Sequence, residues 1–378
     1  MREVVVFRNN LFRVSEPFVT QQAERCRGYR PVYLGRLRFG PPPPGSASFA
    51  LADAGRWRSL PSVAWQVASR SPAGFGRLLA GRAPALVHAH FGIDGVYALP
   101  LARRLGVPLV TTFHGFDATL STAAMLCSPA WANYPLHRAG LAREGALFLC
   151  VSSFIRDQVL AQGFAPARTH VHYTGVDCDA TRPRDPGEET ATILHVARLV
   201  EMKGTATLLH AFAGLAPRHP GVSMVVVGDG PLRRSLERLA GALGVAERVR
   251  FLGARPHAEV MSWMRRAAML VLPSVRTATG RVEGLGMVLL EAAATGVPVV
   301  GSRVGGIPEG LAEGETGLLA PARDAEALGA RMGELLGDPE RRRRMGAAAR
   351  GFVERRFDLG RQTAALERLY DSVLPPVA

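Results

Sequence analysis

Short runs of β-branched or apolar residues return along the chain with helix-length polar and apolar mixtures between them. Val4–Phe7, Val32–Leu34, Leu86–Ala89, Leu109–Thr112, Leu147–Val151 and Val171–Tyr173 read as buried strands. The pattern pauses at Thr181-Arg-Pro-Arg-Asp-Pro-Gly-Glu-Glu-Thr190, a charged, proline-rich stretch without periodicity that reads as a linker. It restarts with Ile193–Val196, Met224–Val227, Val249–Leu252, Leu270–Leu272 and Val297–Val300. Strands alternating with helices imply parallel sheets covered on both faces. The expectation is an α/β protein of two doubly wound, Rossmann-like domains facing across a cleft, 1–182 and 183–356, with a last segment, 357–378, whose helix crosses back to the first domain. The run Gly40-Pro-Pro-Pro-Pro-Gly45 opens a stretch to about Ser71 that reads as a floppy excursion, or else as a flap beside an acceptor.

One segment breaks the simple strand pattern. Arg281-Val-Glu-Gly-Leu-Gly-Met-Val-Leu-Leu-Glu-Ala-Ala-Ala-Thr-Gly-Val-Pro298 opens on glycines, carries Glu283 and Glu291 around an apolar run, and closes at Gly296 and Pro298. If most of the interval is helical, the two carboxylates lie roughly 12 Å apart, too far to share a proton. That spacing suits two hydroxyl-bearing ends of one ligand, with N–H groups from Gly284, Leu285, Gly286 and Met287 available to an anion.

In open α/β sheets ligands sit beyond the carboxyl ends of strands, so the loops there hold the remaining candidates. After Val196 come Arg198 and Lys203, two cations able to flank a diphosphate. Val225-Val-Val-Gly-Asp-Gly-Pro231 lacks a dinucleotide fingerprint, which makes Gly228 part of a wall rather than of a dehydrogenase site. In the first half, His88 and His90 are two residues apart with no third ligand at zinc spacing. His114, followed by Gly115 and Asp117, is better placed to meet a sugar hydroxyl or a leaving phosphate, while His88 reads about equally well as a hydrogen-bonded core residue. The loop after the first strand offers Asn9, Asn10 and Glu16 to an acceptor, with His88, His90 and Asp117 as the further acceptor-side candidates; Ser15 is expected to cap the next helix with Pro17 in its first turn.

Composition changes this picture in two ways. Of 46 cationic residues all but Lys203 are arginine, so an individual arginine says little and the single lysine says much. The net charge of +14 is concentrated in the first half, which favours an anionic partner such as a phosphorylated acceptor or the inner membrane surface; with no binding module in sight, nucleic acid is not expected. The run Arg341-Arg-Arg-Arg344 reads as a solvated face. Four scattered cysteines, Cys26, Cys127, Cys150 and Cys178, suggest buried reduced thiols, and a start that runs straight into a strand suggests a cytoplasmic protein, peripheral at the inner face of the plasma membrane if its acceptor is a lipid.

The order HAHFG, TFHGFD, VSSF, HYTGVD, VARLVEMKG, VVVGDGP, FLG and EGLGMVLLEAAATGVPVV followed by GGIPE resembles the retaining GT-B glycosyltransferases called glycosyl transferases group 1. The match runs from Val4 to Leu319, and Ser-Glu-Pro-Phe-Val near the start is similar to members of bacterial exopolysaccharide and capsule synthesis. The resemblance implies transfer of a hexose from a nucleotide diphosphate sugar, UDP before GDP, to a hydroxyl of a lipid-linked or soluble glycan. It further implies that Arg198 and Lys203 neutralise the donor diphosphate, that Glu291 accepts from the ribose, that Glu283 holds the donor sugar and that His114 lies against it. No cofactor or metal is implied, Asp177-Cys-Asp179 lying in the wrong segment for a metal motif. A transferase of secondary metabolism, a GT-B epimerase or phosphorylase, and an inactive sugar-nucleotide binding subunit are the alternatives.

Overall fold

A computed structural model describes residues 1–185 and 187–375, and it divides into two compact units. The first comprises residues 1–175 together with the segment beginning at Leu359; the second is Val176–Asp358. Pro186 of the expected linker and residues 376–378 of the expected final segment lie outside the described residues.

The first unit is built on seven parallel strands: β1 (Arg2–Phe7), β2 (Tyr29–Gly35), β3 (Ala47–Ala50), β4 (Leu86–His90), β5 (Leu109–Phe113), β6 (Leu147–Cys150) and β7 (Thr169–Val171). Their order is β3-β2-β1-β4-β5-β6-β7. The second unit has six parallel strands, β8 (Thr192–Val196), β9 (Ser223–Val227), β10 (Val249–Gly253), β11 (Met269–Leu272), β12 (Val299–Ser302) and β13 (Gly317–Ala320), ordered β10-β9-β8-β11-β12-β13. Both units therefore reverse direction beside their first strand, at β1/β4 and at β8/β11. This doubly wound order is the one that opens a ligand crevice at the carboxyl ends of those two strands. The fold is of the GT-B class, two Rossmann-like units in one chain. The apolar runs become strands because both sheet faces are covered: Val5, Val87, Ile193 and Leu270 are fully buried.

The last helix, α5 in the short set of helices used below (α1, Pro17–Glu24; α2, Gly92–Leu105; α3, Thr205–Leu215; α4, Met287–Ala294; α5, Leu359–Asp371), belongs to the first unit. Leu366 and Tyr370 join the core of β1, β2 and β4, and the Tyr370 ring meets Tyr29 edge-on at 5.0 Å. The stretch that reads as a linker is stitched to the second unit instead. Arg184 N donates to Thr295 O at 2.9 Å, Thr190 N to Arg266 O at 2.8 Å, and the Arg350 guanidinium to Thr181 O at 3.0 Å.

Four local expectations need correction. The floppy excursion is ordered, since Ala47–Ala50 pairs with β2 as an edge strand and a helix spans Arg56–Ser69. Arg342 of the four-arginine run is buried, its guanidinium pairing with Glu189 and donating to Leu335 O at 2.6 Å, so the run is not wholly a solvated face. Ser15 does not cap α1: Glu16 is at the cap position, with no side-chain cap bond. Three cysteines are buried, but Cys127 is exposed, and all four are free.

Candidate functional sites at the two crevices

In the second unit the loops after β8 and β11 meet. Two glycine contacts fix the loop that carries both cations. A Cβ on Gly228, at φ +127°, would lie 2.0 Å from Ala197 O, and one on Gly204, at φ +65°, would lie 1.8 Å from Pro273 O. Only glycine permits these approaches, which hold the strand-proximal end of the loop against β9 and the lysine end against the β11 loop. Gly228 N donates to Gly253 O at 2.8 Å, so this residue contributes close packing rather than an N–H to a ligand. Between these anchors Arg198 is exposed, flanked by the buried Leu199.

Lys203 Nζ donates to Glu283 Oε2 at 2.5 Å, and Ser274 Oγ reaches the same oxygen at 3.2 Å. The two side chains of that ion pair keep 18% and 13% exposure, half-desolvated but reachable. The Glu283 backbone is fixed in turn: Gly306 N donates to its carbonyl at 3.0 Å, and Gly305, at φ +60°, leaves no room there for a Cβ. This is the local reason for the paired glycines of GGIPE. Ser302 Oγ donates to Ser274 O, tying β12 to the same loop. Arg281 adds a third cation, its guanidinium held below the usual range by burial and by the charge of Arg198.

The helix expected across the Glu283–Glu291 interval begins only at Met287. Gly284 and Leu285 belong to the preceding loop, Leu285 being buried, and Gly286, at φ +87°, is the cap residue of α4. Glu291 lies inside α4, where His257 Nε2 meets its carboxylate at 3.3 Å; that hydrogen bond raises the imidazole above its ordinary range.

The first unit holds a different constellation at the β1/β4 crevice. Arg8 leaves β1 and grips Glu16 with two hydrogen bonds, 2.8 and 2.9 Å, while a third, at 2.5 Å, goes to Asp94 of α2. Asn9 donates to Asp94 through its backbone at 3.1 Å and through its side-chain amide. The Arg8 guanidinium also lies 4.2 Å over the Phe91 ring. Burial pushes the Asp94 carboxyl up, and the charge of Arg8 opposes that shift.

Beside this network stand the histidines. His88 and His90 rings lie 4.3 Å apart, and His90 Nδ1 shares a hydrogen bond with His114 Nε2 at 3.1 Å. Phe18 and Phe91 flank His114 at 4.9 and 4.6 Å. His88 uses both ring nitrogens, on Tyr370 at 2.6 Å and Thr112 at 2.7 Å, which is the core role. Asp117 is fully buried and accepts from Gly92 N and Gly115 N at 2.8 Å each; burial pushes its pKa up to about 6 against those donors.

Several expected acceptor contacts are thus already engaged within the fold. Asp117 and His88 shape the backbone and core, Asn9 is buried on Asp94, Glu16 is locked by Arg8, and Asn10 sits in a two-residue strand paired with Leu37. His90 and His114 are brought together, with His90 buried and His114 partly so. Arg8, Asp94, Ser274 and Arg281 are the participants that sequence reasoning passed over. Among the described residues no group of three His, Cys, Asp or Glu could hold a metal ion, and no helix is long and apolar enough to cross a membrane.

A pH prediction follows from these imidazoles. Burial lowers His88, His90, His114, His172 and His195, the last to about 4. The unfolded chain therefore binds more protons than the folded one below about pH 6.5, and stability falls as pH drops from there. Asp117 and Asp94, raised by burial, and His257, raised by Glu291, act in the opposite sense but number three against the five buried rings. Tm measured at pH 7.5 and pH 5 in one buffer series should decrease; an equal or higher value at pH 5 would reject the assignment of neutral buried rings.

The family comparisons fall on the same division. The model described as Glycosyl transferases group 1 matches residues 180–352, and that described as Glycosyltransferase Family 4 matches 21–180. Among similar proteins is the GDP-mannose-dependent alpha-(1-6)-phosphatidylinositol monomannoside mannosyltransferase of Mycolicibacterium smegmatis, 34% identical over 282 residues, which cover 70% of each chain. The D-inositol 3-phosphate glycosyltransferase of Frankia alni is 32% identical, over 80% of this chain and 78% of its own. Of solved structures, Anabaena HepE in complex with UDP superposes with a TM-score of 0.78 at 20% identity, covering 98% of this chain and 100% of that one.

Proposed function

The chain belongs to the glycosyl transferases group 1 family and is a glycosyltransferase; from that premise we propose that it moves a hexose from a nucleotide diphosphate sugar to a hydroxyl of a lipid-linked or soluble glycan, with retention at the anomeric carbon. The observation that carries the donor assignment is the meeting of Lys203 and Glu283 at the β8/β11 crevice, with Arg198 and Arg281 beside them. A concentration of positive charge at a switch point suits a diphosphate.

In this reading Lys203 and Arg198 stabilise the departing diphosphate, and the N–H groups of the Gly284–Met287 loop and α4 start reach its oxygens. Glu283 holds donor-sugar hydroxyls, and Glu291 accepts from the ribose. As the bond between the anomeric carbon and phosphate oxygen breaks, the acceptor oxygen attacks the same face and its proton passes to the departing phosphate oxygen. His114 stays neutral through burial and trades no proton. Catalysis is then positioning and leaving-group electrostatics, with cations in place of a metal. The mannosyltransferase relative is named for GDP-mannose and phosphatidylinositol monomannoside, which supports keeping GDP beside UDP and a lipid-linked acceptor ahead of a secondary metabolite.

A thermal-shift screen of UDP, GDP, ADP and dTDP sugars, followed by transfer assays with the stabilising donor in EDTA, tests the whole reading. Full activity in EDTA is expected. Strict dependence on added Mn²⁺ or Mg²⁺ would overturn the metal-free mechanism, and no stabilisation by any nucleotide sugar would overturn the donor assignment.

A further inference from the structure

The proline run that sequence patterning leaves without a task forms one wall of a cavity in the first unit. The cavity measures about 260 Å³, and Pro41, Pro42 and Pro43 line it together with Phe12, Val19 and Tyr33. Polyproline geometry is preset, so this wall costs little to order around a ligand. The volume is small for a complete ligand and suits one apolar part of a larger one.

Another lining residue is held in an unusual backbone state. Phe12 has φ +58°, a left-handed conformation rare for a bulky aromatic residue, and its ring meets Tyr33 edge-on at 5.2 Å. Gly40 allows the chain to pass Phe12, since a Cβ there would stand 2.7 Å from Phe12 O, and Phe39 N donates to Leu11 O at 2.9 Å. Strain kept at a cavity wall by surrounding contacts is a feature of ligand sites.

The surroundings say what the ligand carries. Arg8 and Glu16 line the cavity, but the Arg8 charge is already engaged by Glu16 and Asp94. Arg13 is different: it is exposed, stacks on Phe39 at 4.9 Å, and among the described residues has no carboxylate within ion-pairing distance. Next to it Val14 is 96% exposed and Phe39 56%, apolar side chains left in water beside an unpaired cation. Apolar residues and an unneutralised arginine at the rim of an apolar cavity match an amphiphile with a hydrocarbon body and an anionic head.

We infer that this cavity, with Arg13 at its rim, binds an anionic amphiphile, its hydrocarbon segment between Phe12 and Pro41–Pro43 and its phosphate-class head on Arg13. The inference deepens the proposed function by assigning the apolar part of the acceptor, and rests on it only for the word acceptor.

The test uses the full chain and n-decyl phosphate below its micellar concentration, with inorganic phosphate and decanol as controls, measured by calorimetry. Decyl phosphate is expected to bind at least tenfold more tightly than either control. Phe12→Gly relieves the left-handed backbone and removes the ring, so it should fold and bind at least tenfold more weakly; Thr20→Phe should fill the cavity with the same result. Arg13→Gln should erase the preference for decyl phosphate over decanol. Unchanged affinity in Phe12→Gly and Thr20→Phe would overturn the inference. Binding to phosphatidylglycerol vesicles without binding of monomeric decyl phosphate would also overturn it, since that reports surface adsorption rather than a cavity. Nucleotide-sugar binding in the same variants separates the two readings: amphiphile binding lost from a chain that still takes the donor bears on the cavity alone, and absence of donor binding in every variant bears on the proposed function alone.

Discussion

Lys203→Ala is expected to lower kcat by about 10²- to 10³-fold while leaving the fold in place, the loss typical of removing one group aimed at charge that develops in the transition state. The side chain sits in a short turn, Glu201–Lys203, at 18% exposure, and none of the strand cores depends on it. Two explanations for such a loss can be separated. If the lysine merely neutralises Glu283, then Lys203→Ala/Glu283→Gln should be no slower than Glu283→Gln alone; if its charge serves the departing diphosphate, the double variant falls well below that single variant. Lys203→Arg is expected to recover only part, because a planar guanidinium does not occupy the place of a compact ammonium beside Ser274 and Glu283. A Lys203→Ala chain that transfers sugar at the wild-type rate would remove the diphosphate role.

Arg8→Met should destabilise the protein by about 3–5 kcal/mol, the range for removing one partner of a buried ion pair. Arg8 is 8% exposed and Asp94 1%, so the substitution strands a carboxylate that only Asn9 would still serve among the contacts described above. Urea midpoints of the wild type, Arg8→Met and Arg8→Met/Asp94→Asn measure this. The double variant, which carries no stranded charge at Asp94, should regain part of the loss. A midpoint for Arg8→Met within error of the wild type would show that the network contributes nothing to stability.

Much of the fold is legible in the residues themselves. Val4–Phe7 and Met224–Val227 are apolar runs bounded by polar or glycine-bearing segments, and parallel strands covered on both faces leave that mark. Two strands of the large sheets escaped. Ala47–Ala50 and Gly317–Ala320 are four residues each and lean on alanine, glycine and serine, which carry weak strand preference. Their pairing comes from the neighbouring strand rather than from their own composition. The arginine-rich background explains another gap: Arg8 and Arg342 look like any of their many equivalents until burial and a carboxylate partner distinguish them.

The candidate sites divide in the same way. Lys203 stands out in sequence because it is the only lysine, and Glu283 because glycines frame it, but the two are 80 residues apart and nothing local says they touch. Arg8 and Asp94 are separated by 86. The histidine motifs HAHFG and TFHGFD are equally conspicuous, yet their letters do not tell a core ring from an available one. His88 becomes a core residue because α5 brings Tyr370 to it, across 282 positions, and Asp117 becomes a backbone clamp because Gly92 and Gly115 converge on it.

By itself, then, the sequence determined the alternation of strands and helices and the two-fold repetition of that alternation, which follow from short-range periodicity and from glycine and proline punctuation, while the order of its motifs pointed to the family. The tertiary structure alone decided which of those loop residues pair, which are consumed in holding the backbone, and that a proline run closes a cavity. The physical reason is the doubly wound order: β1 is followed in the sheet by β4 and β8 by β11, so each crevice is made by segments that are distant in the chain and adjacent only after folding.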